Sequence, residues 1–503
     1  MTAIPSGARR LLTLALACLA LASGVARGQS LDDRLDRVLG SAAFAERLNL
    51  AVTILDGATG RELASASGGK PMIPASNMKL LTSGAALAVL GEDFEFLTEL
   101  VLFRGNGPGG TDRLVVRGSG DPAFADFELL DDMGVGVEDF IALWVDAIED
   151  AGVGDSVGEI VLDTRIFDRE LVHRSWPTAQ LNRWYCAQVS GLNFHANVLR
   201  VYTKPTEVGR PPLVTVEPEV PWLDIANKAK TVGRGRNHTA WASRAIGSNR
   251  IGIHADVRHA TTPIEVTVHE PGLVLGRVIA SRLASRDHEE PRVRFAGDDE
   301  DLSGGETIHR VRTPIEIVLE RCNVSSHNLY AEALIKRTGA EASNAQGTWP
   351  RGAFAVRSLL TQRVGPDKTG ALVVADGSGM SRENRVTSDL LAHWLVAMDR
   401  TPEAEAFRES LPSAGEEGTL RKRFRRTDPV NEVRAKTGYL SGVSALSGYV
   451  THEKTGRTIV FSIISNDKPR DVALASIRKL EEDIVLMIDD ALSERAEADS
   501  MGG

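Results

Sequence analysis

The chain has 503 residues, 42% hydrophobic and 25% charged, a composition that fits an ordinary globular protein of two to four domains. Aromatic residues make up only 5% and the formal net charge is −10, so base-stacking platforms and the wrapping of a polyanion are disfavoured and nucleic acid is not an expected partner.

The N-terminus reads as a signal peptide over residues 1–28. Arg9 and Arg10 precede an apolar stretch, Leu11 to Ala22, that is too short to span a bilayer. Ala26-Arg27-Gly28 then offers small residues at the −3 and −1 positions of a cleavage site before Gln29. A retained anchor is the alternative. Lipidation at Cys18 is poorly supported, because Ala15-Leu16-Ala17 matches such a signal badly. The segment holds three arginines and no acid, so its removal leaves a chain of about −13. A periplasmic or otherwise extracytoplasmic location without a stable membrane anchor follows. Of the remaining cysteines, Cys186 and Cys322 read as buried thiols, with a single bridge as the less favoured alternative.

Leu50 to Leu55 is a short apolar strand, and Asp56-Gly57 turns it into a second strand near Glu62 to Ala66. Pro74-Ala75-Ser76 opens a helix with apolar residues at helical spacing through Leu90. From Phe94 to about Thr307 strand-like runs alternate with glycine-rich turns, and several more short strands fall between Pro211 and Val266. This change of texture predicts a separately folded insert. Helical pattern returns at Thr313 to Cys322 and at Ser326 to Arg337. Three strands follow, Glu432 to Lys436, Ser444 to Thr451 and Thr458 to Ile464, before a helix from about Asp471 to Glu497 that packs on the sheet.

Three short motifs carry chemistry: Ser76-x-x-Lys79, Ser326-x-Asn328 and Lys436-Thr437-Gly438. Each alone is weak, and decoys prove it. Ser67-Gly-Gly-Lys70 is too glycine-rich for a rigid helical turn, and Ser476-Ile-Arg-Lys479 lies in the last helix with no partner motif after it. Lys368-Thr-Gly370 and Lys454-Thr-Gly456 read as turns. Taken singly, Ser76 and Ser326 read as helix N-caps and Lys436 as a solvated edge lysine. Their order, each in a suitable element, shifts the balance to a catalytic set. His254 and His259 make no convincing metal site, and no metal or cofactor is called for.

The chain resembles the class C low-molecular-mass penicillin-binding proteins, D-alanyl-D-alanine carboxypeptidases/endopeptidases. Beyond the three motifs, the resemblance rests on Pro74 to Thr82, Gly118-Ser-Gly-Asp-Pro122, Ser326 to Glu332, Asp376-Gly-Ser-Gly-Met-Ser-Arg382 and Leu411 to Arg421. It covers roughly Asn49 to Leu486 and accounts for the 250-residue gap between Ser76 and Ser326, where the family carries two inserted domains. One departure is His327, where an aspartate is usual; it bears on local pairing.

The resemblance implies an α/β (α+β) fold: a β-lactamase-like peptidase domain at 29–92 and 308–497, an inserted β-rich domain at 93–210 and 267–307, and a second nested at 211–266. It implies peptidoglycan peptides and β-lactams as ligands. Ser76 would attack the penultimate D-alanyl carbonyl while Lys79 takes its proton as a neutral amine. A pKa lowered toward 7–8 would come from burial and from a nearby cation, with Lys436 the candidate. Ser326 would relay the proton to the leaving amine, and Asn328 would hold Lys79 and the substrate amide. Lys436 and Thr437 would bind the terminal carboxylate, with Gly438 admitting the ligand to the strand edge. The N–H groups of Ser76 and Tyr439 would form the oxyanion hole. A serine β-lactamase or esterase, and a non-catalytic penicillin-binding sensor or scaffold, are the competing readings.

Overall fold

The computed structural model describes residues 30–105, 110–260, 262–425 and 427–502, so the signal-peptide reading of residues 1–28 falls outside the described residues. Two five-stranded sheets organise the chain. The first joins its two ends. Glu432–Leu440, Val443–His452 and Arg457–Asn466 form an antiparallel meander, and Asn49–Asp56 pairs with the last of these before Glu62–Ala66 closes the edge. Side chains alternate along these strands, so both faces are apolar and both are covered. Val52, Ile54, Phe461 and Ile463 meet the helices Leu31–Ser41 and Leu474–Gly502. Ala51, Leu55, Val460 and Ile464 face the helical side, where Met78–Leu90 and Ser388–Met398 lie.

The Met78–Leu90 helix is the axis of that side. Every residue from Met78 to Leu87 is buried, Lys79 included, as expected of a helix surrounded by protein rather than lying on a surface. Helix Asn328–Ser343 packs beside it, and Trp349–Val364 packs on that helix in turn.

Between residues 91 and 314 the chain builds the second sheet, in the order Arg292–Phe295, Val157–Asp163, Asp112–Gly118, Glu95–Phe103, Glu306–Pro314, with parallel and antiparallel pairs. Helices Val137–Asp150 and Pro271–Ala284 cover one face of it. Strand periodicity in this stretch hid both helices. The remaining short strands fall into small sheets between Val198 and Thr267. Three expected boundaries do not coincide with breaks in strand pairing. Glu306–Pro314 runs across 307/308 as one strand of the second sheet, and Val198–Lys204 pairs with both Leu213–Glu217 and Ile264–Thr267 across 210/211 and 266/267.

The insert is not an appendage. Phe96, Phe167, Trp176, Cys186 and Val189 belong to the same apolar core as Leu80, Leu334 and Trp394. Polar contacts follow the same seam. Asp126 accepts from Arg321 Nη2 at 3.0 Å and from Tyr330 Oη at 2.6 Å, Lys336 Nζ donates to Asp168 at 2.7 Å, and Trp176 Nε1 donates to Asp376 at 2.9 Å. Cys186 and Cys322 are both buried and unbridged. Among the described residues no helix is long and apolar enough to cross a membrane.

A shared core predicts shared folding, contrary to the separately folded insert that the sequence texture suggests. Replacing residues 94–306 by a short linker should give a chain that does not fold, and Asp126→Ala should lower the stability of the whole protein by about 3 kcal/mol, because it removes the buried carboxylate on Arg321 and Tyr330 and leaves Arg321 with only Glu128 as counter-charge. Denaturant unfolding followed by tryptophan fluorescence checks both. A cooperatively melting remnant, or an unchanged Asp126→Ala midpoint, would refute the shared core.

Candidate active site

Ser76 does not cap the central helix. It sits within the 3₁₀ turn Ala75–Asn77 that precedes Met78–Leu90, and Asn77 occupies the cap position without a side-chain capping bond. Ala75 adopts a left-handed backbone, φ 47°, which costs energy and is held by its surroundings. Asn77 supplies part of that hold, donating from Nδ2 to Lys436 O at 2.8 Å in a fully buried bond. The nucleophile turn is thereby tied directly to the strand that carries Lys436-Thr437-Gly438.

That strand runs from Glu432 to Leu440 at the edge of the sheet, four residues beyond the expected end at Lys436. Ala435 N–H leaves the edge to reach Pro412 O at 3.2 Å, and the two-residue alternation of a strand turns the N–H groups of Thr437 and Tyr439 to the same outer side. Gly438 is required for the close approach: a Cβ there would lie 2.8 Å from Pro74 O and 3.2 Å from Ser76 N.

Lys79 Nζ stands at the centre. It donates to Asn328 Oδ1 at 2.7 Å, to Ser378 O at 2.9 Å and to Ser76 Oγ at 3.3 Å, three acceptors for three protons. Asn328 is fixed in turn by its Nδ2, which donates to Tyr185 O at 2.9 Å. Burial lowers the Lys79 pKa to about 8, against the pull of Cys322, Glu332 and Asp376. Of the two causes expected from the sequence, burial and a Lys436 ammonium, burial is the one that lowers it. Lys436 is buried as well. Its Nζ donates to Ser326 Oγ at 2.9 Å and to Thr437 O at 3.0 Å, and burial, followed by the nearby Lys79, holds its pKa well below the usual lysine value.

Ser326 carries a left-handed φ of 59°, and the following helix Asn328–Ser343 is capped at His327, again with no side-chain capping bond. The plain-cap alternatives for Ser76 and Ser326 therefore both fail. The three motifs converge on one cleft, with Ser76, Ser326, Thr437, Gly438 and Tyr439 on its wall; the decoys Ser476 and Lys479 line the same cleft but make none of the hydrogen bonds to Lys79 or Lys436. Lys368 pairs with Asp389 at 2.7 Å and Lys479 with Asp483 at 2.7 Å, while Ser67 and Lys70 lie exposed on a turn and Lys454 occupies the turn between two strands.

His327 is buried against Trp184 and Tyr330, and burial pushes its pKa down to about 3. A neutral ring beside Asp126 adds no second charge there. The carboxylate for Arg321 and Tyr330 comes from Asp126 of the insert instead. His254 stacks on Trp241 at 4.2 Å while His259 lies by His238, so the two are not gathered into one site.

Four supporting groups escaped the sequence reading. Ser378 contributes only its carbonyl, and Tyr185 likewise, so neither side chain announces the role. Glu332 accepts from Ser378 N at 2.8 Å, Gly377 N at 3.0 Å and Trp349 Nε1 at 2.7 Å. Asp376 accepts from Gly379 N at 3.0 Å and Ser381 N at 2.6 Å, which fixes the same loop from the other end. Gly379, with φ 82°, presses so close that a Cβ would fall 1.8 Å from Ala75 O. The acid-and-glycine run Asp376-Gly-Ser-Gly379 was the available signal for these roles.

The chain is similar to known D-Ala-D-Ala carboxypeptidases. A profile of the D-Ala-D-Ala carboxypeptidase 3 (S13) family matches residues 31–483. The chain is 34% identical over 474 residues to a D-alanyl-D-alanine carboxypeptidase of Actinomadura sp. (strain R39), covering 91% of this chain and 84% of that protein. It is 27% identical over 423 residues to carboxypeptidase DacB of Mycolicibacterium smegmatis, covering 82% of this chain and 75% of the relative. The crystal structure of penicillin binding protein 4 (dacB) from Haemophilus influenzae superposes with a TM-score of 0.73 at 20% identity, covering 91% of this chain and 99% of that one, which shows the same fold. The chain belongs to the D-Ala-D-Ala carboxypeptidase 3 (S13) family, and its activity is that of a D-alanyl-D-alanine carboxypeptidase, a hydrolase.

Proposed function

We propose that the chain cuts D-alanyl bonds of peptidoglycan stem peptides, as carboxypeptidase and as endopeptidase, through an acyl-enzyme on Ser76, and that penicillins acylate the same serine. The observation that carries this reading is the buried Lys79 ammonium, hydrogen-bonded to Ser76 Oγ and held by two further acceptors. A lysine with a pKa of about 8 spends a usable fraction of its time as a free amine near neutral pH. In that state Lys79 takes the Ser76 proton as Oγ attacks the penultimate D-alanyl carbonyl, and the oxyanion settles against the N–H groups of Ser76 and Tyr439. Ser326, bonded to Lys436, relays the proton taken up by Lys79 to the departing amine, which returns Lys79 to its free-amine form. Asn328 keeps Lys79 aimed and holds the substrate amide, and a water then releases the acyl group. A complex of the Haemophilus influenzae protein with a β-lactam supports the penicillin part. An extracytoplasmic site of action, after removal of residues 1–28, goes with a wall substrate.

Lys436 and Thr437 hold the carboxylate next to the scissile bond, on the outer edge of the strand that Gly438 keeps against the nucleophile. A carboxypeptidase substrate ends in that carboxylate. A meso-diaminopimelate cross-link carries one at the same place, so one anchor serves both reactions.

Intact-mass analysis after penicillin treatment should show one adduct on the wild type and none on Ser76→Ala; label persisting on that variant, or mapping to Ser67 or Ser476, would overturn the assignment. The acylation rate should rise with pH through about 8, because the reactive form is deprotonated Lys79 and its pKa lies there rather than at 10.5. A profile that climbs only near pH 10 would remove Lys79 as the base. For the carboxylate anchor, a charge-assisted bond of about 1.5–3 kcal/mol corresponds to a loss of roughly ten- to more than a hundredfold in kcat/KM. Lys436→Ala should lose that factor on acid substrates, and the wild type should cut a C-terminal amide poorly. Amide and acid cleaved equally fast would refute the anchor.

A further inference from the structure

The cleft that opens from Ser76 is lopsided. Its wall takes in Ser326 and Thr437, the residues read above as meeting the departing amine and the carboxylate next to it. Six cations line it, Arg421, Lys422, Arg423, Arg425, Arg478 and Lys479, against two carboxylates, Glu482 and Asp483. That balance runs against a chain whose formal charge is −10.

Both carboxylates are already engaged. Arg423 bonds Glu482, reaches Glu481 at 3.1 Å, and donates to Arg478 O at 2.9 Å, which clips this segment onto the C-terminal helix. Glu481 also accepts from Ser444 Oγ at 2.6 Å, and Lys479 holds Asp483 at 2.7 Å. Arg421, Lys422 and Arg425 remain, exposed and without a carboxylate partner among the described residues; Arg478, also exposed, makes no ion pair there and feels only the buried Glu481. Arg478 leans over the exposed Tyr439 ring, 5.9 Å from its centroid, at the residue that follows Gly438. Four cations without an ion pair around one concave surface raise the local concentration of anions.

We propose that Arg421, Lys422, Arg425 and Arg478 form a second anion subsite, on the leaving-group side, that takes an acidic peptide departing with the amine. The proposal rests on Ser76 being the nucleophile and Lys436 the anchor of the first carboxylate; the subsite reads charges farther along the leaving strand. No bond is made or broken there. Its cations are exposed, so its effect is screened by salt, with a Debye length of about 8 Å at physiological ionic strength. Cross-links whose leaving strand carries free carboxylates are thus preferred over amidated ones.

The test uses synthetic peptides with one acyl part and two leaving strands, one bearing two carboxylates beyond the first and the other with both converted to amides. At low salt the full chain should favour the acidic strand about fivefold or more in kcat/KM, and the ratio should shrink as salt is added. In Arg421→Gln/Lys422→Gln/Arg425→Gln/Arg478→Gln the ratio should fall to about one, while replacement of the three arginines by lysine should keep it. No preference in the wild type, a preference that survives the glutamine variant, or loss from the charge-preserving variant would each overturn the proposal. Inhibition by an inorganic polyphosphate without leaving-strand discrimination would also overturn it and give the surface to an anionic polymer. Penicillin labelling of wild-type Ser76 runs beside these assays, so failure of the nucleophile assignment is read separately.

Discussion

The site depends on one buried ammonium. Lys79 lies in the first turn of a helix enclosed by protein, and nothing but Ser76 Oγ, Asn328 Oδ1 and Ser378 O replaces the water it has lost. A shift from 10.5 to about 8 corresponds to roughly 3 kcal/mol of disfavour for the charged form. The sign is fixed by linkage: the penalty is fully present below pH 8 and is relieved as pH rises toward the unfolded value. The protein therefore gives up stability at the place where the proposed mechanism needs a proton that is easy to lose. Three elements far apart in sequence, at residues 76, 328 and 378, must be registered to a few tenths of an ångström to keep that arrangement. Much of the surrounding polar network serves that registration, from Asn77 on Lys436 O to Glu332 and Asp376 under the Ser378 loop.

The same requirement explains the insert. Asn328 can present Oδ1 to Lys79 only if its amide nitrogen is fixed, and Tyr185, an insert residue, accepts from it. The helix that starts at Asn328 is clamped by Asp126 on Tyr330 and Arg321 and by Asp168 on Lys336. Asp376, which braces the Ser378 loop, receives Trp176. Insert residues thus touch two of the three acceptors of Lys79 at one remove, and the common apolar core through Phe167 and Trp176 makes those contacts stiff.

What the sequence revealed follows from what its residues announce. The first sheet was legible because strand alternation and turn residues are local signals, and Ser76, Lys79, Ser326, Asn328 and Lys436 were legible because their chemistry lies in side chains at short spacings. The strand end at Lys436 came out four residues short because Thr437, Gly438 and Tyr439 break the apolar pattern while an edge partner still holds them in the ladder. The helices Val137–Asp150 and Pro271–Ala284 were lost among flanking strands. Ser378 and Tyr185 act through carbonyls, which every residue possesses, so no residue type could mark them. Of the two causes expected for the Lys79 shift, burial is the one that acts, and its completeness is a tertiary property that the motifs do not carry.

Lys436 carries this reasoning one step further. Two lysines share a dry site, and the approach of Lys79 adds to the burial that already depresses Lys436. Ser326 Oγ and Thr437 O accept from its ammonium, yet neither is a counter-charge. A carboxylate arriving at the strand edge supplies the missing negative charge and favours the protonated form of Lys436. On the proposed mechanism, a ligand without the carboxylate would forfeit its anchor and leave Lys436 without a counter-charge. Recognition of the terminal acid would in this way be tied to the charge state of a buried lysine.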